Sequence, residues 1–218
     1  MEPLLRPVAH PDWITLLLVI SLVFITVAKG LFYQKFMNFV ILPFNNKYIF
    51  MYNKKDTLFN GFNLFMSLFQ LFNFALYLYF AFTIFADATT PATVAHYFSI
   101  LLLLFLFLLL KVGLQLFNAN IFDWEKPTVD IIFKKLSYLN YSSILMCAAN
   151  ILYSFVPMDP KVVFYLSLFL IILINVVGWI TLLRNYQKLI LSRFFYFILY
   201  LCALEIAPLI IIGSYLKD

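Results

Sequence analysis

The sequence is short of charged residues. Only 11% of its 218 residues are Asp, Glu, Lys or Arg, whereas 65% are hydrophobic, and the mean hydropathy is +0.97. A soluble domain of this length does not need so much apolar surface, so the composition excludes one and indicates a membrane protein. A transmembrane barrel is also excluded, because its strands would alternate polar and apolar residues, whereas runs such as Ser99–Leu110 are continuously apolar.

Cysteine and histidine are scarce as well. Cys147 and Cys202 both fall in predicted membrane spans, so a disulfide framework is not expected and a small apolar role is favoured. His10 and His96 are far apart in the chain, and no metal-binding, nucleophile or phosphate-loop motif is present. We therefore predict no catalytic residues, no metal and no cofactor, and we do not expect an enzyme.

Long apolar runs separated by short polar segments fill the rest of the chain. They predict an all-α fold, a polytopic membrane helix bundle of six transmembrane helices that forms one integral-membrane domain over residues 1–218. The predicted spans are 13–31, 59–85, 97–117, 136–155, 162–183 and 194–216.

The charges of the loops orient this bundle. Only Arg6, Lys161 and Lys217 lie on one side, and Lys111 lies within a span. The other side holds the remaining eleven basic residues: Lys29, Lys35, Lys47, Lys54, Lys55, Lys126, Lys134, Lys135, Arg184, Lys188 and Arg193. By the positive-inside rule the side rich in lysine is cytoplasmic, so both termini are predicted on the outer side. Basic residues in short loops between spans do not indicate a partner nucleic acid.

Two cytoplasmic segments, 33–58 and 118–135, are rich in aromatic residues and also carry lysines. They are too apolar for solvated linkers and too polar to span, so we predict that they lie at the inner membrane interface, the first broken at Leu42-Pro43. Plain anchoring in the lipid bilayer is the favoured interpretation. The alternative is a docking surface for protein partners or anionic lipid headgroups.

One carboxylate is predicted close to the bilayer midplane. Glu205 lies eleven residues into the last span, which is about 16 Å at the helical rise, and an ionised side chain there is costly. Three residues later, Pro208 lacks an N–H, so it leaves the carbonyl of Leu204 without its helical partner and predicts a kink. Both groups need partners from elsewhere in the protein.

Polar side chains recur at helical spacing in the other spans. Span two carries Asn63, Ser67, Gln70 and Asn73; span three carries Lys111, Gln115 and Asn118; span four carries Ser143, Cys147, Asn150 and Ser154; span five carries Asn175 and Gly178. Each of these sets forms a stripe along one face of its helix. The stripe of span four consists mostly of small residues, which is typical of a helix-packing face.

The sharper hypothesis is that these stripes converge on one polar pocket open to the cytoplasm, with Lys111 as the counter-charge of Glu205. Gln115, Gln70, Asn73, Asn150 and Asn175 would line it. Two alternatives remain open. Lys111 snorkels to the inner headgroups without any role, or Glu205 is protonated and hydrogen-bonds neighbouring helices together.

The last span also carries a specific motif, Tyr-x-Cys-x-x-Glu-x-x-Pro, from Tyr200 to Pro208. The chain also has an Asp-Trp pair before span one, a lysine late in span three and aromatic residues where span four begins. With these features it resembles an uncharacterised family of Bacteroidota integral inner-membrane proteins, domain of unknown function four-two-seven-one. The resemblance covers most of the chain and implies multi-pass location in a bacterial inner (cytoplasmic) membrane. It implies no activity.

Three functions fit these patterns. The favoured one is a non-catalytic subunit or assembly factor of a larger envelope complex, since soluble domains and catalytic clusters are missing from the sequence. The second is a small ion-coupled transporter or carrier that uses Glu205 and Lys111. The third, an intramembrane enzyme acting on lipid-linked substrates, has the least support because chemical groups are few.

Overall fold

The fold was obtained as a computed structural model, which describes residues 12–43, 47–52, 60–85, 93–121 and 125–192. Every regular element within those ranges is helical. The helices are α1 (Asp12–Leu31), α2 (Tyr33–Val40), α3 (Lys47–Tyr52), α4 (Gly61–Phe85), α5 (Val94–Ile121), α6 (Glu125–Phe155) and α7 (Pro160–Ser192). The predicted last span, 194–216, lies outside the described residues.

Four helices in the described part of the chain are long and apolar enough to cross a membrane. The qualifying segments are Asp12–Leu31, Gly61–Phe85, Val94–Phe117 and Pro160–Arg184. They coincide within a few residues with the predicted spans one, two, three and five, so the all-α class and these four long apolar helices are confirmed.

The predicted fourth span falls on α6, which differs from the other long helices. At 31 residues α6 is long enough to cross a membrane, but it is not among the helices that are also sufficiently apolar. Its polar side chains are buried against neighbouring helices, where they do not meet lipid. They are Thr128, Lys134, Ser137, Asn140, Ser142, Ser143, Asn150 and Ser154.

The start of α6 also changes the description of the segment 118–135. Residues 118–121 continue α5, and α6 already begins at Glu125, eleven residues before the predicted start of span four. Pro127 lies in the first turn of α6, where its missing N–H has no intrahelical partner to lose. Much of this segment is therefore helix that extends the long helices beyond their predicted ends.

Helices α4 and α6 pack against each other at the centre of the bundle. Helix α6 packs against α4 and α7 and also contacts α5, while α4 packs against α1 and α5. Helix α4 is the most enclosed of the four candidate spans, with 44% of its most apolar window buried, against 11% for α5. The pair α4 and α6 therefore forms the core, and α1, α5 and α7 lie around it.

The short helices α2 and α3 fold back onto this core. The ring of Phe39 lies 5.5 Å from that of Tyr48 and 5.7 Å from that of Phe62 at the start of α4, and Tyr48 stacks on Phe133 of α6 at 5.9 Å. Leu42, at the break that the sequence predicts, is fully buried. Phe39 and Tyr48 are therefore packed inside the protein, whereas Tyr33 of the same segment is 59% exposed.

Candidate functional site

A groove of about 170 Å³ lies between α5, α6 and α7. Its polar lining consists of Lys111 and Gln115 from α5, Lys135 and Tyr138 from α6, and Asn175 and Trp179 from α7. Its walls are apolar, formed chiefly by Leu108, Val112, Ile132, Leu136, Leu139 and Leu182. By the predicted topology the groove lies in the cytoplasmic half of the bundle.

Two lysines give the groove its charge. The ammonium of Lys135 lies 4.4 Å from the centroid of the Trp179 ring, a cation–π contact that fixes it at the groove. Within the described part of the chain, the ammonium of Lys111 has no hydrogen-bond or ion-pair partner. Among the described lining residues these two are charged and none is Asp or Glu, so this part of the lining is basic.

Amide side chains add hydrogen-bonding capacity. Gln115 is only 3% exposed, and none of the described residues forms a hydrogen bond with its amide. Asn175 donates from Nδ2 to the carbonyl of Ile171 at 2.8 Å, which leaves its side-chain oxygen available. Ammonium and amide groups of this kind form hydrogen bonds with anions and polar headgroups.

The floor of the groove depends on a glycine. An added Cβ on Gly178 would lie 2.6 Å from Cγ of the Tyr138 ring, and the hydroxyl of Tyr138 hydrogen-bonds with Thr181 on the same helix as Gly178. The ring is therefore held at both ends against α7. Only glycine allows α6 and α7 to approach this closely here.

Replacing Gly178 with alanine is expected to destabilise the folded protein by about 1–3 kcal/mol, because the clash is with the base of a fixed ring. Thermal unfolding in detergent micelles measures this. Gly113→Ala on α5 is the matched control, since nothing lies within 4 Å of its Cβ position, and it should cause no loss. Equal melting temperatures for the two variants would contradict the close approach of α6 and α7.

A second group of buried polar residues lies on α4 and α6. Gln70, Asn73 and Asn150 are each 1% exposed. Asn150 donates from Nδ2 to the backbone carbonyl of Asn73 at 3.0 Å, which joins the two central helices. Asn73 in turn donates to the carbonyl of Phe69 at 2.8 Å. Among the described residues, neither polar atom of the Gln70 side chain has a hydrogen-bond partner.

Other polar side chains also link neighbouring helices. The hydroxyl of Tyr77 on α4 lies 3.0 Å from Oγ of Ser167 on α7. Cys147 of α6 hydrogen-bonds with Ser21 of α1. Ser154 on α6 donates instead to the carbonyl of Asn150 in its own helix at 2.8 Å.

One lysine lies inside the protein at the predicted cytoplasmic end. Lys134 is 5% exposed, and burial lowers the pKa of its ammonium, while Asp130 one turn earlier on α6 opposes that shift. Lys134 is not part of the groove lining, although its neighbour Lys135 is. Adjacent lysines on α6 thus have different surroundings.

The residues of the predicted pocket fall into two groups. Lys111, Gln115 and Asn175 line the basic groove, whereas Gln70, Asn73 and Asn150 are buried on α4 and α6 and are not part of its lining. Glu205 and Pro208 lie outside the described residues, so the contact of Glu205 with Lys111 stays a prediction.

Sequence reasoning missed Lys135, Tyr138 and Trp179 as residues of the groove. Trp179 follows Asn175 by four residues, the spacing that places two side chains on one helical face, so this signal was present. Lys135 directly precedes the predicted start of span four at residue 136, so it was assigned to the segment 118–135.

Among the described residues, no group of three or more His, Cys, Asp or Glu side chains is arranged to hold a metal ion. The fold and the groove together define a class: an all-helical protein with four helices that could cross a membrane, joined by polar contacts between helices.

Residues 14–216 match the family described as Domain of unknown function (DUF4271), and the chain belongs to that family. The match covers nearly the whole chain. Neither the comparison with curated proteins nor the comparison with solved structures finds a match.

Proposed function

We propose that this protein is a six-span protein of the bacterial inner membrane with both termini on the outer side, and that it acts as a non-catalytic subunit or assembly factor of a larger envelope complex. The asymmetry of the loop charges supports the orientation. The length of α6 and its polar packing face support α6 as one span. The apolar run 194–216 supports another span.

The observation that carries the proposal is that polar side chains form contacts between helices. Asn150 binds the backbone of Asn73, Tyr77 contacts Ser167, and Cys147 contacts Ser21, so these groups join helices to one another. Hydrogen bonds between membrane helices contribute about 0.6 kcal/mol each on average. They account for the helical spacing of these polar side chains without a transport path or a reaction.

The outer face of α2 is the proposed docking surface. Phe39 on the inner face is buried, whereas Tyr33 and Met37 are 59% and 43% exposed, one helical turn apart. Ile41 extends this face at 48% exposed. By the predicted topology this face lies at the cytoplasmic surface, where a partner can reach it.

Gentle extraction of the tagged protein from its native membranes tests the proposal. We expect partner proteins in stoichiometric amount, and the double variant Tyr33→Ala/Met37→Ala should lose them while remaining folded. Tyr165→Ala, on the exposed face of α7, is the matched control and should retain them. Recovery of a monodisperse chain without partners would contradict the subunit role.

A carrier is the second candidate, favoured by one observation. Lys111, Gln115 and Asn175 share a groove in the predicted cytoplasmic half, as a substrate or ion site would require. On this alternative Glu205 completes the site, and Glu205→Gln abolishes transport without changing the abundance of the folded protein. Loss of the folded protein would instead assign Glu205 a structural role.

A further inference from the structure

We propose that the groove between α5, α6 and α7 binds the phosphate of an anionic phospholipid. Lys111 and Lys135 supply the charge, and Gln115 supplies a hydrogen-bond donor. This inference is independent of the role of the protein as a subunit.

The charge of the groove selects for an anion. Lys111 and Lys135 come from different helices but line one groove, and no carboxylate is among the described lining residues. The Trp179 ring holds the ammonium of Lys135 at the groove, as the 4.4 Å contact shows. Basic pockets between membrane helices on the cytoplasmic side are typical sites for acidic lipid headgroups.

Gln115 adds a hydrogen-bonding group to the groove. A buried side-chain amide normally has a hydrogen-bond partner. Gln115 lines the groove at 3% exposure, and no described residue forms a hydrogen bond with it. A phosphate oxygen in the groove would accept from its Nε2.

The walls of the groove indicate that this anion is part of a lipid. Leu108, Leu136 and Leu182 line it. Leu109 and Ile172, which lie beside or one helical turn from lining residues on α5 and α7, are 54% and 53% exposed. The acyl chains of a lipid would contact these apolar side chains. A free anion would lose its hydration in the groove without gaining such contacts.

The position of Lys111 along its predicted span is consistent with contact to a lipid headgroup. It lies six residues before the predicted inner end of its span at Phe117, which is about 9 Å at the helical rise. The stem of a lysine crosses most of that distance, so its ammonium lies near the level of the lipid phosphates.

Native mass spectrometry of the full chain tests the proposal, with phosphatidylglycerol and phosphatidylcholine of equal acyl length added at equal concentration. We expect the protein to retain phosphatidylglycerol preferentially. The charge of each lysine is worth about fivefold in affinity at a membrane surface, so Lys111→Gln and Lys135→Gln should each weaken that preference by about this factor. Lys111→Arg and Lys135→Arg, which keep the charge, should retain most of it.

Lys161→Gln is the matched control, because it removes one exposed lysine at the opposite end of α7, and it should leave the preference unchanged. Equal retention of the two lipids by the unmodified protein would overturn the proposal, whether or not the variants fold. Displacement of phosphatidylglycerol by excess inorganic phosphate would also overturn it, since the groove would then be a site for a soluble anion.

Discussion

Replacing Phe39 with alanine is expected to destabilise the folded protein by about 3–5 kcal/mol, the range for truncating a fully buried aromatic residue. Phe39 is 1% exposed, and its ring lies within 6 Å of the rings of Tyr48, Phe62 and Tyr141. It therefore fixes α2 to α3, α4 and α6 at once. Titration with a denaturing detergent, followed by tryptophan fluorescence, measures the change in the free energy of unfolding.

Met37→Ala is the matched control for this variant. It lies two residues away on the same short helix but is 43% exposed, so its truncation should change stability little. Equal small effects at both positions would show that α2 lies on the membrane surface as a plain anchor, and the packing of the aromatic segment into the core would be wrong.

Replacing Gln70 with methionine is expected to raise stability by about 1–3 kcal/mol, the usual cost of a buried polar group without a partner. The side chain of Gln70 is 1% exposed, and neither of its polar atoms has a hydrogen-bond partner among the described residues. Methionine has nearly the same length and volume, so it keeps the packing while removing the buried amide. A rise in melting temperature measures the gain.

Asn63→Leu on the same helix should have the opposite effect. Asn63 is also buried, but its Oδ1 accepts a hydrogen bond from the hydroxyl of Tyr48 at 3.3 Å, so its loss leaves that hydroxyl without this partner. If Gln70→Met instead destabilises the protein as much as Asn63→Leu does, Gln70 has a partner such as a bound water or ion. The carrier hypothesis would then gain support.

The apolar runs were sufficient to predict four of the long helices, because hydrophobic length is a signal that each segment carries by itself. The fourth predicted span was harder to place. Its buried side chains, Ser142, Ser143 and Asn150 among them, meet other helices, and a hydropathy pattern does not distinguish that burial from exposure to solvent. The helix begins at Glu125, within the segment 118–135 that was predicted to lie at the membrane interface.

The positions of the aromatic residues between spans depend on tertiary contacts. Phe39 and Tyr48 have the composition of an interfacial anchor, and their rings pack against other helices because α2 and α3 turn back along α4. Nothing local in the sequence specifies that turn toward the bundle. It depends on contacts with Phe62 and Phe133, which are distant in the chain.

Part of the geometry of the candidate site follows from the sequence. Helical spacing places Lys111 and Gln115 on one face, and both line the groove, because that relation lies within one helix. Which helices face one another is a tertiary property. The sequence therefore did not reveal that Asn175 lies with Lys111 while Asn150 lies with Asn73.

The separation of the two polar groups is the central claim of this account, and cysteine accessibility in inside-out membrane vesicles tests it most directly. In a chain carrying Cys147→Ala and Cys202→Ala, single cysteines replace Gln115 or Asn73, which are 3% and 1% exposed. A membrane-impermeant anionic thiol reagent is then added. We predict that Gln115→Cys is labelled, because it lines the open groove, and that Asn73→Cys is not. Labelling of both positions at similar rates would contradict the account, since water would then reach the interior amides along a continuous path.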